Sequence, residues 1–173
     1  MLHAACVRRD SHVLALAGRS GSGKSTLAQH LAESGWQIVS DDALLATNGR
    51  CYPVYRRVKW STADDRTFMY ASGKSFSNLG GLDAVARAGM ALTHILFIRL
   101  SPRFGMAPLL PDEAAERLFD ACAPEVAGGL PSTRRRLQAL AYTVPGILTL
   151  LGPDPAQNVD GIEKHLTLPG GSR

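Results

Sequence analysis

Short apolar runs separated by polar, glycine-rich breaks dominate the first third of the chain. Leu2-His3-Ala4-Ala5-Cys6-Val7 and Val13-Leu14-Ala15-Leu16-Ala17 read as two strands turned back on each other at Arg9-Asp10-Ser11. A helical spacing, Leu27-Ala28-Gln29-His30-Leu31-Ala32, predicts a helix over 24–33, with Gly35 as its stop. Trp36-Gln37-Ile38-Val39-Ser40 is an apolar strand that ends in Asp41-Asp42. Next, Leu44-Leu45-Ala46 and Cys51-Tyr52-Pro53-Val54 flank Asn48-Gly49, the strongest short hairpin signal.

The middle of the chain is less regular. Residues 55–60 and 67–70 read as strands around a polar loop at 61–66, and the Gly/Ser-rich stretch 73–81 predicts a mobile connection. Thr93-His94-Ile95-Leu96-Phe97-Ile98-Arg99-Leu100 predicts a central strand. Residues 101–111 hold three prolines and read as a connector. Helices are expected over 112–121 and, capped by Ser132 or Thr133, through Tyr142. Residues 143–150 read as a late strand whose Pro145 suits an edge or a strand start, and 158–165 as a last short helix. There is no internal repeat, so one domain over 1–173 is expected. The expected class is α/β: a mixed sheet flanked by helices.

The break between the second strand and the first helix carries chemistry. Gly18-Arg19-Ser20-Gly21-Ser22-Gly23-Lys24-Ser25-Thr26 satisfies the phosphate-binding pattern G-x-x-x-x-G-K-[ST] in full, with a strand before it and a helix after it. Glycines let successive backbone N–H groups converge on one anion, and the helix adds its positive end. Lys24 is expected at the β- and γ-phosphates of ATP, and Ser25 on Mg²⁺. Residues Gly18, Ser20, Gly21, Ser22, Gly23, Lys24, Ser25 and Thr26 form the expected nucleotide site.

Composition narrows the use of that site. Charged residues make up 20% and hydrophobic residues 45% of 173, ordinary for a globular protein, and the net charge of +4 suits anionic ligands. Lys/Arg density is too low for a dedicated nucleic-acid binder. Cys6, Cys51 and Cys122 lack metal-ligand spacing and are expected as free thiols. No apolar run reaches membrane-helix length and no signal peptide is legible, so a cytoplasmic protein without a membrane partner is expected. Neither Leu-Ser-Gly-Gly-Gln nor Asn-Lys-x-Asp occurs, which argues against a transport ATPase and a GTPase.

Further candidates surround the loop. Asp41 and Asp42 end a strand, where ligands of open α/β sheets sit. Adjacent carboxylates on a strand alternate faces, so one can meet the metal and the other a different partner. Arg134, Arg135 and Arg136 lie near a helix start, where the dipole disfavours cations. They read either as a contact for a phosphate or acidic substrate, or as a solvated basic face.

His3, 21 positions before Lys24 (24 − 3), and Asp41, 17 after it (41 − 24), extend the pattern. A histidine on the strand before the loop, the loop itself and an Asp-Asp pair ending the next strand together resemble the catalytic domain of HPr kinase/phosphorylase. That family includes small stand-alone serine kinases and is distantly akin to phosphoenolpyruvate carboxykinase. The resemblance is specific from Leu2 to about Pro53. It implies the fold of that type, ATP and Mg²⁺, and a phosphoryl transfer in which Asp41 takes the proton of the attacking hydroxyl. It also implies that His3 tunes Asp41, Lys24 neutralises the phosphates, and Ser25 and Asp42 hold the metal. The acceptor implied is a serine of a peptide or protein, the precursor of a lasso or other ribosomally made natural product among them. Assemblies of several copies occur in the family. Residues 75–80 lack the glutamate that the family carries in a Glu-Ile-Arg-Gly-Leu-Gly-like segment. Two other readings stay open: a small-metabolite kinase of the gluconate or shikimate type, and a non-catalytic ATP-binding regulator.

Overall fold

The computed structural model describes residues 1–41, 43–54, 57–60, 67–69, 75–78, 88–122 and 131–167. Its main sheet has six strands. β1 (Ala4–Arg9) and β2 (His12–Ala17) form the expected hairpin, paired from Ala4↔Ala17 to Arg9↔His12. α1 (Lys24–Glu33) follows the loop, ends at Ser34, and is succeeded by Gly35 in the left-handed region at φ 92°. β3 (Gln37–Ser40) returns beside β1, antiparallel to it.

Asn48 and Gly49 both take positive φ, 50° and 70°, the two-residue turn that matches strand twist. They join β4 (Leu44–Thr47) to β5 (Arg50–Pro53). β5 pairs with β9 (Met90–Ala91) in a small second sheet. A third sheet joins β6 (Arg57–Trp60), β8 (Ser75–Asn78) and β7 (Thr67–Met69), in that order. β8 corrects the expectation of a connection there: its Ser and Phe residues alternate and pair with both neighbours.

β10 (His94–Leu100) is central, parallel to β2 on one side and to β12 (Gly146–Leu151) on the other. Pro145 therefore stands just before an interior strand, not on an edge. The edge is β11 (Gly105–Pro108), antiparallel to β12, within the stretch read as connector. Its closing Pro108 is tolerated because an edge strand leaves one row of donors unpaired. The sheet order is β11-β12-β10-β2-β1-β3.

Among the described residues, two helices cover each face. α1 packs with α4 (Pro155–Thr167) on one. α2 (Pro111–Asp120) and α3 (Pro131–Thr143) cover the other. α2 starts with Pro111, and Glu113 Oε2 accepts from the Leu110 N–H at 3.3 Å. α3 also begins with a proline, so Ser132 and Thr133 lie inside its first turn and neither precedes it as a cap. α4 starts three residues earlier than expected, because Asp154 Oδ1 accepts from the Ala156 N–H at 2.9 Å.

β2 is buried on both faces: Val13, Ala15 and Ala17 join the α2/α3 core, and Leu14 and Leu16 the α1/α4 core. All three cysteines are buried free thiols. No described helix is long and apolar enough to cross a membrane.

Candidate functional site

Chain direction creates the site. From β2 the chain crosses over α1 to β3; from β10 it crosses over α2 and α3, on the other face, to β12. The ends of β2 and β10 thus flank a topological switch point, where open α/β sheets bind ligands. The loop 18–23 leaves β2 there.

Gly21 and Gly23 adopt φ 79° and 95°, conformations that side chains resist. Gly23 precedes α1, which has no side-chain cap and no acid in its first turn, so the helix end faces the loop with its positive charge uncancelled. Gly18 is required by space: a Cβ there would lie 2.7 Å from Ser22 Oγ and 2.8 Å from the Ile98 carbonyl oxygen. Ser22 Oγ is buried and has no hydrogen-bond partner among the described residues.

Lys24, 6% exposed, arches back across the loop and donates to the carbonyl oxygens of Gly18 at 2.7 Å and Arg19 at 2.9 Å. Its ammonium is therefore fixed by the loop itself. Ser20 and Gly21 are exposed at the loop tip, and Thr26 is exposed in the first turn of α1.

Ser25 Oγ donates to Asp41 Oδ1 at 2.9 Å, and Asp41 is 1% exposed. A bulge aims that carboxylate. Val7 faces Ile38 but Cys6 faces Ser40, so Val39 is an extra residue opposite β1. Unbroken alternation would send Asp41 to the α2/α3 face with Val39. The inserted residue turns it to the α1 face instead. Asp42, expected to share the metal with Ser25, lies outside the described residues. The carboxylate found on Ser25 is that of Asp41.

His3 lies at the same sheet edge. Leu2 pairs with both Leu44 and Cys122, and the His3 N–H donates to the Ala121 carbonyl at 2.8 Å. Leu2 and Ala4 pack into the α2/α3 core on either side of His3 in the chain. The β1–β2 register continues from Ala4↔Ala17 toward the start of the loop.

The arginine cluster does not come to the loop. Arg134 pairs with Glu116 of α2 and its guanidinium lies 5.4 Å from the Phe119 ring centroid. Arg134, Arg135 and Arg136 are exposed, and none lines the cavity beside the loop.

That cavity, about 600 Å³, runs from Gly18–Ser22 past Phe97–Leu100 to Arg117, Asp120 and Ala121 at the end of α2. It shares the loop residues Gly18–Ser22, while Lys24, Ser25 and Asp41 do not line it. Arg99, Arg117 and Asp120 are residues that sequence reasoning missed. Arg99 carried a usable signal, a cation at the carboxyl end of a central parallel strand. Arg117 and Asp120 carried none, because only tertiary packing brings the end of α2 to the loop.

No family model matches the chain, and a search of curated proteins finds no match. Among solved structures, the HPr(Ser) kinase/phosphatase from Coxiella burnetii superposes with a TM-score of 0.43 at 15% identity, over 95% of this chain and 94% of that one. At that score and identity no residue role is carried over from that protein.

Proposed function

We propose that the protein is an ATP-dependent kinase that transfers the γ-phosphoryl group to a hydroxyl, foremost a serine of a peptide or protein. The Ser25–Asp41 contact carries the reading. It sets a hydroxyl and a carboxylate together at the foot of a phosphate loop whose lysine is already in place. The adjoining cavity offers space for a second substrate, which a simple nucleotide binder does not need. The serine acceptor is supported by the resemblance that runs from Leu2 to about Pro53.

The donor set fits magnesium, which prefers oxygen ligands and retains several waters. Ser25 and Asp41 would hold it, and when bound it supplies neutralisation of charge on the transferring phosphate. Asp41 then stands on the metal side, the role first expected of Asp42, and Asp42 becomes the candidate proton acceptor. Loop N–H groups and Lys24 hold the phosphates in line. Carboxylates are weak bases toward a hydroxyl, so positioning does most of the work.

The test is purified protein with Mg·ATP and serine peptides, sugars or hydroxy acids. One phosphoryl group adds about 80 daltons to the acceptor. A gain on a peptide supports the reading; gains on small hydroxy acids alone move it to a metabolite kinase. ATP binding with no gain on any acceptor overturns it.

A further inference from the structure

The cavity beside the loop carries a surplus of positive charge among its described lining residues. Among the described residues, Arg19, Arg99 and Arg117 line it together with one acid, Asp120. Among the described residues none of these four has a side-chain hydrogen bond or an ion pair. Three cations stand against one carboxylate and the carboxyl end of α2, which contributes about half a negative charge. The excess is roughly one and a half positive charges. The phosphates of a nucleotide have Lys24, the loop N–H groups and the start of α1 to meet them without drawing on these guanidinium groups.

The wall that carries Arg117 is also held firmly. The carbonyl of Ala121 accepts from His3, and Cys122 pairs with Leu2, so the end of α2 is fixed to the strand edge beside the loop. Leu118 and Ala114 bury the adjoining side of α2 in the core. Arg117 and Asp120 sit one turn apart, on neighbouring positions of the cavity side.

We infer that the cavity between the phosphate loop and the end of α2 is the acceptor subsite, and that it takes an acceptor whose hydroxyl lies beside a negative charge. Arg117 and Arg99 bind that charge, and Asp120 excludes a second, misplaced one. This rests on the kinase reading above. About 600 Å³ admits a few residues of an acidic peptide or a whole small hydroxy acid; the shared chemistry is a hydroxyl next to a carboxylate.

The test uses the full chain with Mg²⁺ and a non-hydrolysable ATP analogue. Binding of fluorescent serine peptides flanked by Asp/Glu, by Ala/Gln or by Lys is measured, with gluconate as a competitor, followed by phosphoryl transfer from ATP. The acidic peptide is expected to bind at least about ten-fold tighter than the neutral one, and the basic one weakest. Arg117→Gln is expected to weaken the acidic peptide about ten-fold, with nucleotide affinity changed less than about two-fold; Arg117→Lys restores part of the loss. Competition by gluconate together with its phosphorylation assigns the subsite to a small acid; its failure to compete assigns it to a peptide.

Equal binding of the three peptides without competition by gluconate overturns the inference, as does Arg117→Gln weakening nucleotide and acceptor alike. If the protein binds the acidic probe and ATP but transfers nothing, the subsite stands and the kinase reading falls. If it binds no nucleotide, both fall.

Discussion

Ser25 Oγ donates to Asp41 Oδ1 across 2.9 Å, between the first turn of α1 and the end of β3. The pair joins the two elements that leave the phosphate loop and the strand edge, and it places a buried carboxylate beside the helix that a triphosphate would approach. Asp41→Asn preserves an acceptor for the Ser25 hydroxyl but removes the charge. Folding should survive, with a thermal midpoint near that of the parent. The Mg²⁺ concentration for half-maximal transfer should rise about 10- to 100-fold, as for other losses at a metal shell. Titrating activity against Mg²⁺ checks this. Full activity at unchanged Mg²⁺ demand would remove Asp41 from the metal.

Lys24 is anchored on the carbonyl oxygens of Gly18 and Arg19. Lys24→Ala should weaken ATP binding about 10- to 100-fold, the worth of one or two charge-assisted hydrogen bonds. Equilibrium binding of a fluorescent ATP analogue measures it. Read beside the previous variant, this separates a kinase from a nucleotide-gated scaffold, in which Asp41→Asn leaves function intact and Lys24→Ala abolishes it.

Gly18 sits against both the Ser22 side chain and the Ile98 backbone, and only the hydroxyl can turn away. A methyl there meets the Ile98 carbonyl oxygen at 2.8 Å, so Gly18→Ala must push the loop off β10. A loss of about 1–3 kcal/mol is expected from such overpacking, together with weaker ATP binding. Chemical denaturation and nucleotide titration test the two effects. Gly21→Ala meets nothing within 4 Å, so its cost comes from φ 79° alone.

His94 begins β10, at the end of the strand remote from the loop, opposite Leu14 of β2. Burial holds its imidazole below the ordinary 6.5, with His12 and then His165 adding to the effect. The folded state therefore keeps it neutral where the unfolded chain would take a proton. Its contribution is complete above pH 6.5 and is lost as pH falls from there toward the lower folded value. Thermal midpoints recorded from pH 7.5 down to 5.5 should fall, and His94→Gln should flatten part of that slope. An unchanged slope in the variant would assign the acid sensitivity to other groups.

Local sequence determined much of this protein. The hairpin before the loop, the complete phosphate motif, α1 over Lys24–Glu33, the Asn48-Gly49 turn and the central β10 follow from short-range pattern and turn chemistry. Each is set by interactions within a few residues, which is why the pattern is enough. Tertiary structure decided the rest. β8 and β11 are strands because partners complete their ladders, although their Gly, Ser and Pro content argues for loop. The extra residue Val39 turns Asp41, not the neighbour that plain alternation selects, toward Ser25; a bulge is a property of two paired strands and leaves no mark on one. The end of α2 reaches the loop only because Leu2 and His3 tie it there, bringing Arg117 and Asp120 to a cavity about 100 positions away in sequence from the glycines they face.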